Sequence, residues 1–293
     1  MNVDLVAHLA RPGAVELVRR AVTVLEADGH RCRLRIPEGV GSADAPADLS
    51  HLVAPMPEED GTAVRDAGAF VVSFGGDGTF LRAARLARAT DAPVVGVNIG
   101  RLGFLAEIEP EDLEAGLRVL SSGGHRIEER STLHVVVEAA DGRRISEGWA
   151  LNDVAVEKEA RQRLVRLEVS IGPTHFASMA ADGVIVATST GSTAYALSAG
   201  GPIVNPSLHT MLIAPVAPHS LFDRTVVTDL GDTVVIDVAG EQDGALVSTD
   251  GMDPVVVAPG GKVLVSGGAR PVRFARVGDG EFFSRVRRTF RLG

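Results

Sequence analysis

The sequence predicts two fold classes in one chain. The first is an N-terminal α/β domain on a Rossmann-like parallel sheet; the second is an all-β C-terminal domain of the β-sandwich type. Three observations lead there. Up to about residue 127, apolar strand-like runs alternate with stretches of helical period, which is the pattern of a parallel sheet with helices on its faces. Beyond it, strand-like runs follow one another closely with turn dipeptides between them, which is the pattern of a double sheet. The length, 293 residues, suits about two domains at ~150 residues each. The expected division is 1–127, 128–270, and a C-terminal segment 271–293.

The elements follow in order. Residues 3–7 read as a strand, Arg11-Pro12-Gly13 as a turn, Ala14–Ala27 as a helix ending at Gly29, and 32–36 as a second strand. Residues 37–60, rich in Pro, Gly, Ala and Asp, read as a surface loop. Strand 69–74, a glycine turn, a helix from Phe80 and strand 93–98 come next, then a short helix over 109–121. In the second half, strands are expected over 133–139, 149–156, 164–171, 184–187, 234–238, 245–249, 255–258 and 263–266. One helix-like interruption, 193–197, is closed by Gly200-Gly201-Pro202, and residues 282–288 form an amphipathic tail helix.

Composition narrows the function. The chain is 45% apolar, enough for sizeable cores, and its 29 basic and 38 acidic residues give a net charge of −9. That balance argues against a general nucleic-acid or anionic-membrane binder, so a phosphate site must be locally basic. Lys158 and Lys262 are the only lysines, leaving arginine as the main cation. Cys32 is the only cysteine, which excludes an intrachain disulfide and a cysteine metal cluster and suits a reducing, cytoplasmic setting. The first residues, Met1-Asn2-Val3-Asp4, lack the basic start of a signal peptide. No apolar run approaches the ~18 residues of a membrane span.

Four stretches carry chemistry. Gly75-Gly76-Asp77-Gly78-Thr79 lies between a strand and a helix start, where turn N–H groups and a helix N-terminus make a phosphate site. The Asp77 carboxylate would repel a phosphate there, so its presence points to a base or metal ligand. No lysine follows the glycines, which excludes the Walker loop, and Leu81 stands where the dinucleotide fingerprint needs its last glycine. Arg82, in the first helical turn, can reach a phosphate. The second stretch, Asn98-Ile99-Gly100-Arg101-Leu102-Gly103-Phe104-Leu105, ends a strand with an amide and glycines that allow close backbone approach, above apolar side chains. The third, Asn152-Asp153, opens an apolar strand with an amide suited to an adenine edge and a carboxylate suited to ribose hydroxyls. The fourth runs from Asp182-Gly183 through a strand into Thr190-Gly191-Ser192-Thr193-Ala194-Tyr195-Ala196-Leu197-Ser198, where hydroxyls, a short helix capped by Ser192 or Thr193, and the only tyrosine gather. The histidines show no metal spacing; His219 is kept as a possible ligand contact, and no nucleophile elbow occurs.

Together and in this order, these stretches resemble the NAD kinase family over nearly the whole chain. The first is shared with diacylglycerol-, sphingosine- and phosphofructo-kinases; the second and last are specific. The resemblance implies transfer of a phosphoryl group from ATP or polyphosphate to the adenosine 2′-hydroxyl of NAD, giving NADP. Asp77 is implied as proton acceptor, with Gly75, Gly76, Gly78 and Thr79 forming the phosphate loop. Gly78 and Arg82 would lie on the dinucleotide side, Asn152 and Asp153 would bind adenine and ribose, and Asp182 with residues 193–198 would complete the NAD pocket. Arg163 falls where bacterial members often bring a basic side chain from a neighbouring subunit. The family pattern also implies a homodimer or homotetramer and a final segment returning to the first domain. Mg²⁺ would arrive on the donor, with no dedicated protein cage. The chain departs from the family at Thr225 (often Pro), Met252 (often Gln) and Ala180 (basic in some relatives). Two other classes fit parts of the pattern: a lipid or sugar-phosphate kinase with the same loop, and a non-enzymatic NAD sensor.

Overall fold

A computed structural model describes residues 1–36, 45–56, 70–100, 103–160, 163–220, 222–240, 244–278 and 280–292, leaving aside the side chain of Asp253. Part of the expected 37–60 loop, Arg101, Leu102, Leu221 and Asp243 lie outside the described residues. The chain divides into two units, 1–129 with 272–293, and 130–271.

In the first unit the apolar runs become strands because both faces of the sheet are covered. The elements are β1 (Asn2–Ala7), α1 (Ala14–Ala27), β2 (Arg31–Arg35), β3 (Val53–Ala54), β4 (Val71–Gly75), α2 (Asp77–Thr90), β5 (Val94–Asn98), α3 (Leu113–Ser121) and β6 (Arg126–Arg130). β4 and β5 are buried along their whole lengths, as parallel strands between helices are. The sheet runs β3-β2-β1-β4-β5, all parallel. Leu17, Val18, Ala21 and Leu25 turn the apolar face of α1 onto Leu5, Leu34, Leu117 and Leu120. The fully buried Asp4 is tolerated because Arg33 and Arg35 from β2 bond its two carboxylate oxygens at 2.7 Å each.

The second unit holds β7 (Leu133–Glu138), β8 (Arg144–Ala150), β9 (Asp153–Lys158), β10 (Val165–Ile171), β11 (Thr174–Ala181), β12 (Gly183–Thr188), a short helix α4 (Tyr195–Ser198), and β13 (Thr210–Val216). It continues with β14 (Val226–Asp229), β15 (Thr233–Ala239), β16 (Ala245–Thr249), β17 (Met252–Val257) and β18 (Lys262–Gly267). They form two antiparallel six-stranded sheets, β11-β10-β15-β18-β7-β8 and β14-β13-β12-β9-β16-β17. One core takes Val135, Leu167, Ile236 and Val265 from the first sheet and Val156, Val186, Ile213 and Val247 from the second, so this unit is a sandwich. β12 is buried on both faces. On its outer face Ile185 and Ala187 pack with Ala196 of α4 and Val204, which explains a helix inside a run of strands.

Several details differ from the sequence expectations. The strand expected over 149–156 is two strands, broken at Leu151-Asn152. β3, β6, β11, β13, β14 and β19 (Val272–Arg276) have no counterpart among the expected strands, and β3, paired with β2, lies inside the expected 37–60 loop. β11 is an edge strand whose first half is mostly exposed, so it lacks an apolar signature. β13 carries Pro215, normally a mark against an inner strand; here β14 pairs only with Thr210–Ile213, so Pro215 lies beyond that partner. The expected 193–197 helix is a 3₁₀ turn, Gly191–Thr193, followed by α4.

After the sandwich the chain re-enters the first unit. β19 inserts between β5 and β6, and α5 (Phe282–Phe290) follows. Phe274 of β19 packs its ring 4.9 Å from that of Phe80 on α2. Glu107, nearly buried, takes Arg276 at 2.6 Å and Arg285 of α5 at 2.7 Å, while Arg276 also bonds Glu128 at 2.6 Å. Phe274 is 1% exposed, so Phe274→Ala is expected to cost about 3–5 kcal/mol through the cavity it leaves, measured by urea unfolding. A cost below about 1 kcal/mol would show that β19 is not part of the core.

Candidate functional site

The first unit presents the Gly75–Thr79 loop at the carboxyl edge of its sheet, where open α/β sheets bind ligands. Gly76 precedes α2, and Thr79 and Phe80 both donate to the Gly76 carbonyl. Asp77 and Gly78 are therefore the first two helical residues, whose N–H groups have no intrahelical acceptor. Gly75 is required by packing: a Cβ there would lie 2.3 Å from Thr79 Oγ1. Thr79 is buried beneath the loop.

The Asp77 side chain turns away from the free amides. Phe104 N–H donates to its Oδ2 at 3.3 Å and Leu105 N–H to its Oδ1 at 3.4 Å. A Cβ on Gly103 would stand 2.2 Å from Oδ1, so only glycine lets this segment pass so close. Burial raises the Asp77 pKa, while the two amides and the charge of Arg285 oppose the rise. Arg285, itself buried, donates to the carbonyls of Phe104 and Ala106 at 2.9 Å each, fixing the segment that holds Asp77. Asn98, paired across the ladder with Gly75, donates to Glu109 at 3.0 Å and keeps a buried Oδ1 without a partner.

Arg82, expected from the sequence to reach a phosphate, donates from Nη1 to the Gly78 carbonyl one turn back at 3.3 Å. A second cation, Arg11, part of a turn in the sequence, also stands at the loop. Arg11 Nη1 donates to Ile99 O at 3.0 Å, and both Nη1 and Nη2 would be 3.3 Å from a Cβ on Gly76.

In the second unit, Asn152 and Asp153 sit at the start of β9 and are held by one side chain. Asp250 Oδ2 accepts from Leu151 N–H at 2.9 Å; its Oδ1 accepts from Asn152 and Asp153 N–H at 2.7 and 3.2 Å. Asp250 reaches them from the β16–β17 hairpin, where Asp250 and Gly251 have φ of +52° and +69°, the two-residue turn favoured by Asp-Gly. That dipeptide is a readable hairpin signal, although its carboxylate's role is visible only in three dimensions. Asn152 Oδ1 is buried and unpartnered.

Asp153 lies beside Tyr195, whose N–H bonds its carboxylate, while Tyr195 Oη donates to Glu157 at 2.7 Å. Burial, and then the charges of Asp250 and Glu157, push the Asp153 carboxyl up to about 7. Burial and the Glu157 hydrogen bond push the Tyr195 phenol up to about 12, so it remains a donor at neutral pH. Asp182 pairs with Lys158 on the adjoining strand. The structure thus gathers Asn152, Asp153, Tyr195, Glu157 and Asp182. Neither Ser192 nor Thr193 caps α4: Ser192 Oγ donates to Ser189 O, and Thr193 Oγ1 to Thr190 O. Ala194 stands at the cap position, Ala196 is buried, and Leu197 and Ser198 follow at the surface side of α4. Arg163 is exposed, with its N–H on Ala160 O, and His219 is exposed, with its N–H on Ala180 O.

Two family models match the chain: "ATP-NAD kinase N-terminal domain" over residues 3–125 and "ATP-NAD kinase C-terminal domain" over 151–277. A protein named NAD kinase from Mycobacterium tuberculosis is 39% identical over 295 residues, covering 99% of this chain and 96% of that protein. Among solved structures, yeast NADH kinase complexed with NADH has a TM-score of 0.84 at 22% identity, covering all of this chain and 88% of that one. An NAD kinase from Archaeoglobus fulgidus in complex with ATP has a TM-score of 0.70 at 24% identity, covering all of this chain and 97% of that one. The two solved structures establish likeness of fold.

Because the folded Asp153 carboxyl stands above its ordinary value, the folded state binds this proton more tightly than the unfolded chain. Its cost is nil below the ordinary carboxylate range and grows as pH rises to about 7. Asp153→Asn is therefore expected to raise the melting temperature more at about pH 8 than at about pH 5, measured by calorimetry. An equal change at both would contradict the raised pKa.

Proposed function

The chain belongs to the NAD kinase family and is an enzyme that phosphorylates NAD to NADP, and within that activity we propose roles for its residues. Membership of that family sets aside the lipid and sugar-phosphate kinases that share the loop. Asp77 is the base: it takes the proton of the adenosine 2′-hydroxyl as that oxygen attacks the terminal phosphorus of ATP or polyphosphate. The bond to the donor's bridging oxygen breaks, and the shortened phosphate leaves. The observation that carries this reading is the Asp77 carboxylate, anchored by the Phe104 and Leu105 amides beside the open amides of its own helix. Its raised pKa makes it a stronger base than an ordinary aspartate.

Phosphoryl transfer needs positioning and charge neutralisation more than covalent help from the protein. The N-terminus of α2, with Gly75, Gly76, Gly78 and Thr79, receives the donor's phosphates, and Arg82 lies on the dinucleotide side. Asn152 accepts from the adenine amino group through its unpartnered Oδ1, and Asp153 accepts from ribose hydroxyls. Asp182 and residues 193–198 complete the NAD pocket, with Arg163 and His219 as further contacts. Beside the loop, the buried, unpartnered Asn98 Oδ1 is an oxygen donor that would fit Mg²⁺ carried in by the donor. When bound, that ion would supply charge neutralisation on the phosphates. Among the described residues no group of three or more His, Cys, Asp or Glu side chains could hold a metal ion.

The enzyme works in the cytoplasm, a reading supported by its single, buried thiol at Cys32, and as a homodimer or homotetramer, a reading supported by the family pattern. Among the described residues no helix is long and apolar enough to cross a membrane. Incubated with Mg²⁺, NAD and either ATP or polyphosphate, the protein is expected to form NADP; no NADP with either donor would leave only the sensor reading. Asp77→Asn is expected to keep NAD binding, measured by titration calorimetry, while turnover falls by about 10²–10⁴-fold. Unchanged turnover would remove Asp77 from the base role.

A further inference from the structure

The strongest unassigned feature is the Arg11 guanidinium. Arg11 follows β1, whose Ala7 pairs with Phe74 of β4, so Arg11 and the Gly75–Thr79 loop leave the sheet at the same edge. Ile99 O takes one of its hydrogen bonds, at 3.0 Å. Gly100, with φ +102°, also lies against it: a Cβ there would be 3.8 Å from Nη1. A Cβ on Gly76 would lie 3.3 Å from both Nη1 and Nη2. The guanidinium therefore faces the bare backbone of the phosphate loop, where a side chain at position 76 would crowd it. Among the described residues no acid pairs with the exposed Arg11; other arginines such as Arg31 and Arg166 also lack an ion pair, and what sets Arg11 apart is its place over Gly76. In a chain of net charge −9, Arg11 thus places a cation with no carboxylate partner against the backbone of the glycine loop.

Arginine offers five N–H donors in a planar fork that matches phosphate oxygens. With one donor on Ile99 O, the remaining ones are available. Arg82, by contrast, folds back on Gly78 O.

We propose that Arg11 is a donor-binding residue, its guanidinium gripping the terminal phosphates of the phosphoryl donor over Gly76. The inference rests on phosphoryl transfer at the Gly75–Thr79 loop. The recognised chemistry is a condensed phosphate chain, common to a nucleoside triphosphate and to polyphosphate. The Ile99 tether sets the height of the fork over the loop, and Gly76 and Gly100 leave it room.

The test compares the unaltered enzyme with Arg11→Met and Arg11→Lys. Initial rates are taken with ATP varied at saturating NAD, with NAD varied at saturating ATP, and with polyphosphate in place of ATP. Arg11→Met is expected to raise the donor KM by about tenfold or more, as loss of a charged phosphate contact does. The KM for NAD should stay within about twofold and the melting temperature should not change, with Arg11→Lys falling between. A rise with one donor alone supports the proposal and identifies that donor as the one Arg11 holds. An unchanged donor KM in both arms, or an equal rise for donor and NAD, overturns it. Titration calorimetry with Mg-ATP gives a readout independent of turnover. If the unaltered protein forms no NADP, the kinase reading fails, yet weakened ATP binding by Arg11→Met still supports the phosphate contact and equal binding still overturns it. If Arg11→Met melts early, Arg11→Lys decides by the same two measurements.

Discussion

A carboxylate must be kept at a place that gathers anions, and much of the first unit follows from that requirement. Asp77 opens α2, where the free amides attract phosphate, yet its own oxygens are committed to the amides of Phe104 and Leu105. This arrangement separates the two negative charges by direction: amides of the helix end face outward while the side chain is turned onto a neighbouring segment. It works only because Gly103 has no side chain to strike Oδ1. The segment in turn is fixed by Arg285, which bonds two of its carbonyls and Glu107. Burial then leaves the carboxylate more basic than in water.

The second unit uses two aspartates in opposite ways. Asp250 accepts three backbone N–H groups and so shapes the break between β8 and β9. Asp153, whose own N–H is one of the three, is buried beside that negative charge, and its carboxyl is pushed up to about 7. Different surroundings thus assign different tasks to chemically identical groups. One is a fixed structural acceptor, and the other is a group whose charge changes near neutral pH.

Strong periodicity made the α/β unit legible in sequence: α1 keeps the expected bounds, and β4 and β5 lie where uninterrupted apolar runs place them. In the β unit most inner strands were legible, as was the edge strand β17, whereas inner β13 and the edges β11 and β14 were not. β11 lacks alternation because its first half is mostly exposed, and β13 hides behind Pro215. At the candidate site, glycines and an out-of-place acid marked Asp77, and adjacent polar residues before an apolar strand marked Asn152-Asp153. Their supports were illegible because they act across long stretches of chain. Asp250 is about a hundred positions from Asn152, and Arg285 about two hundred from Asp77. Arg11 read as part of a turn, since nothing local distinguishes a guanidinium that lies over a glycine 65 positions later.

The insertion of β19 between β5 and β6 has a consequence for biosynthesis. On the ribosome, strands β1 to β5 and the glycine loop emerge early, but the neighbour that β5 needs is encoded beyond the entire sandwich. Until residues 272–276 are made, that edge of the sheet is open, and until Arg285 follows, the segment around Phe104 lacks its clamp. The phosphate loop is thus translated early and finished late. A nascent chain carries the loop's glycines and its acid well before it has the geometry that makes them reactive, and contacts of such long sequence separation form slowly.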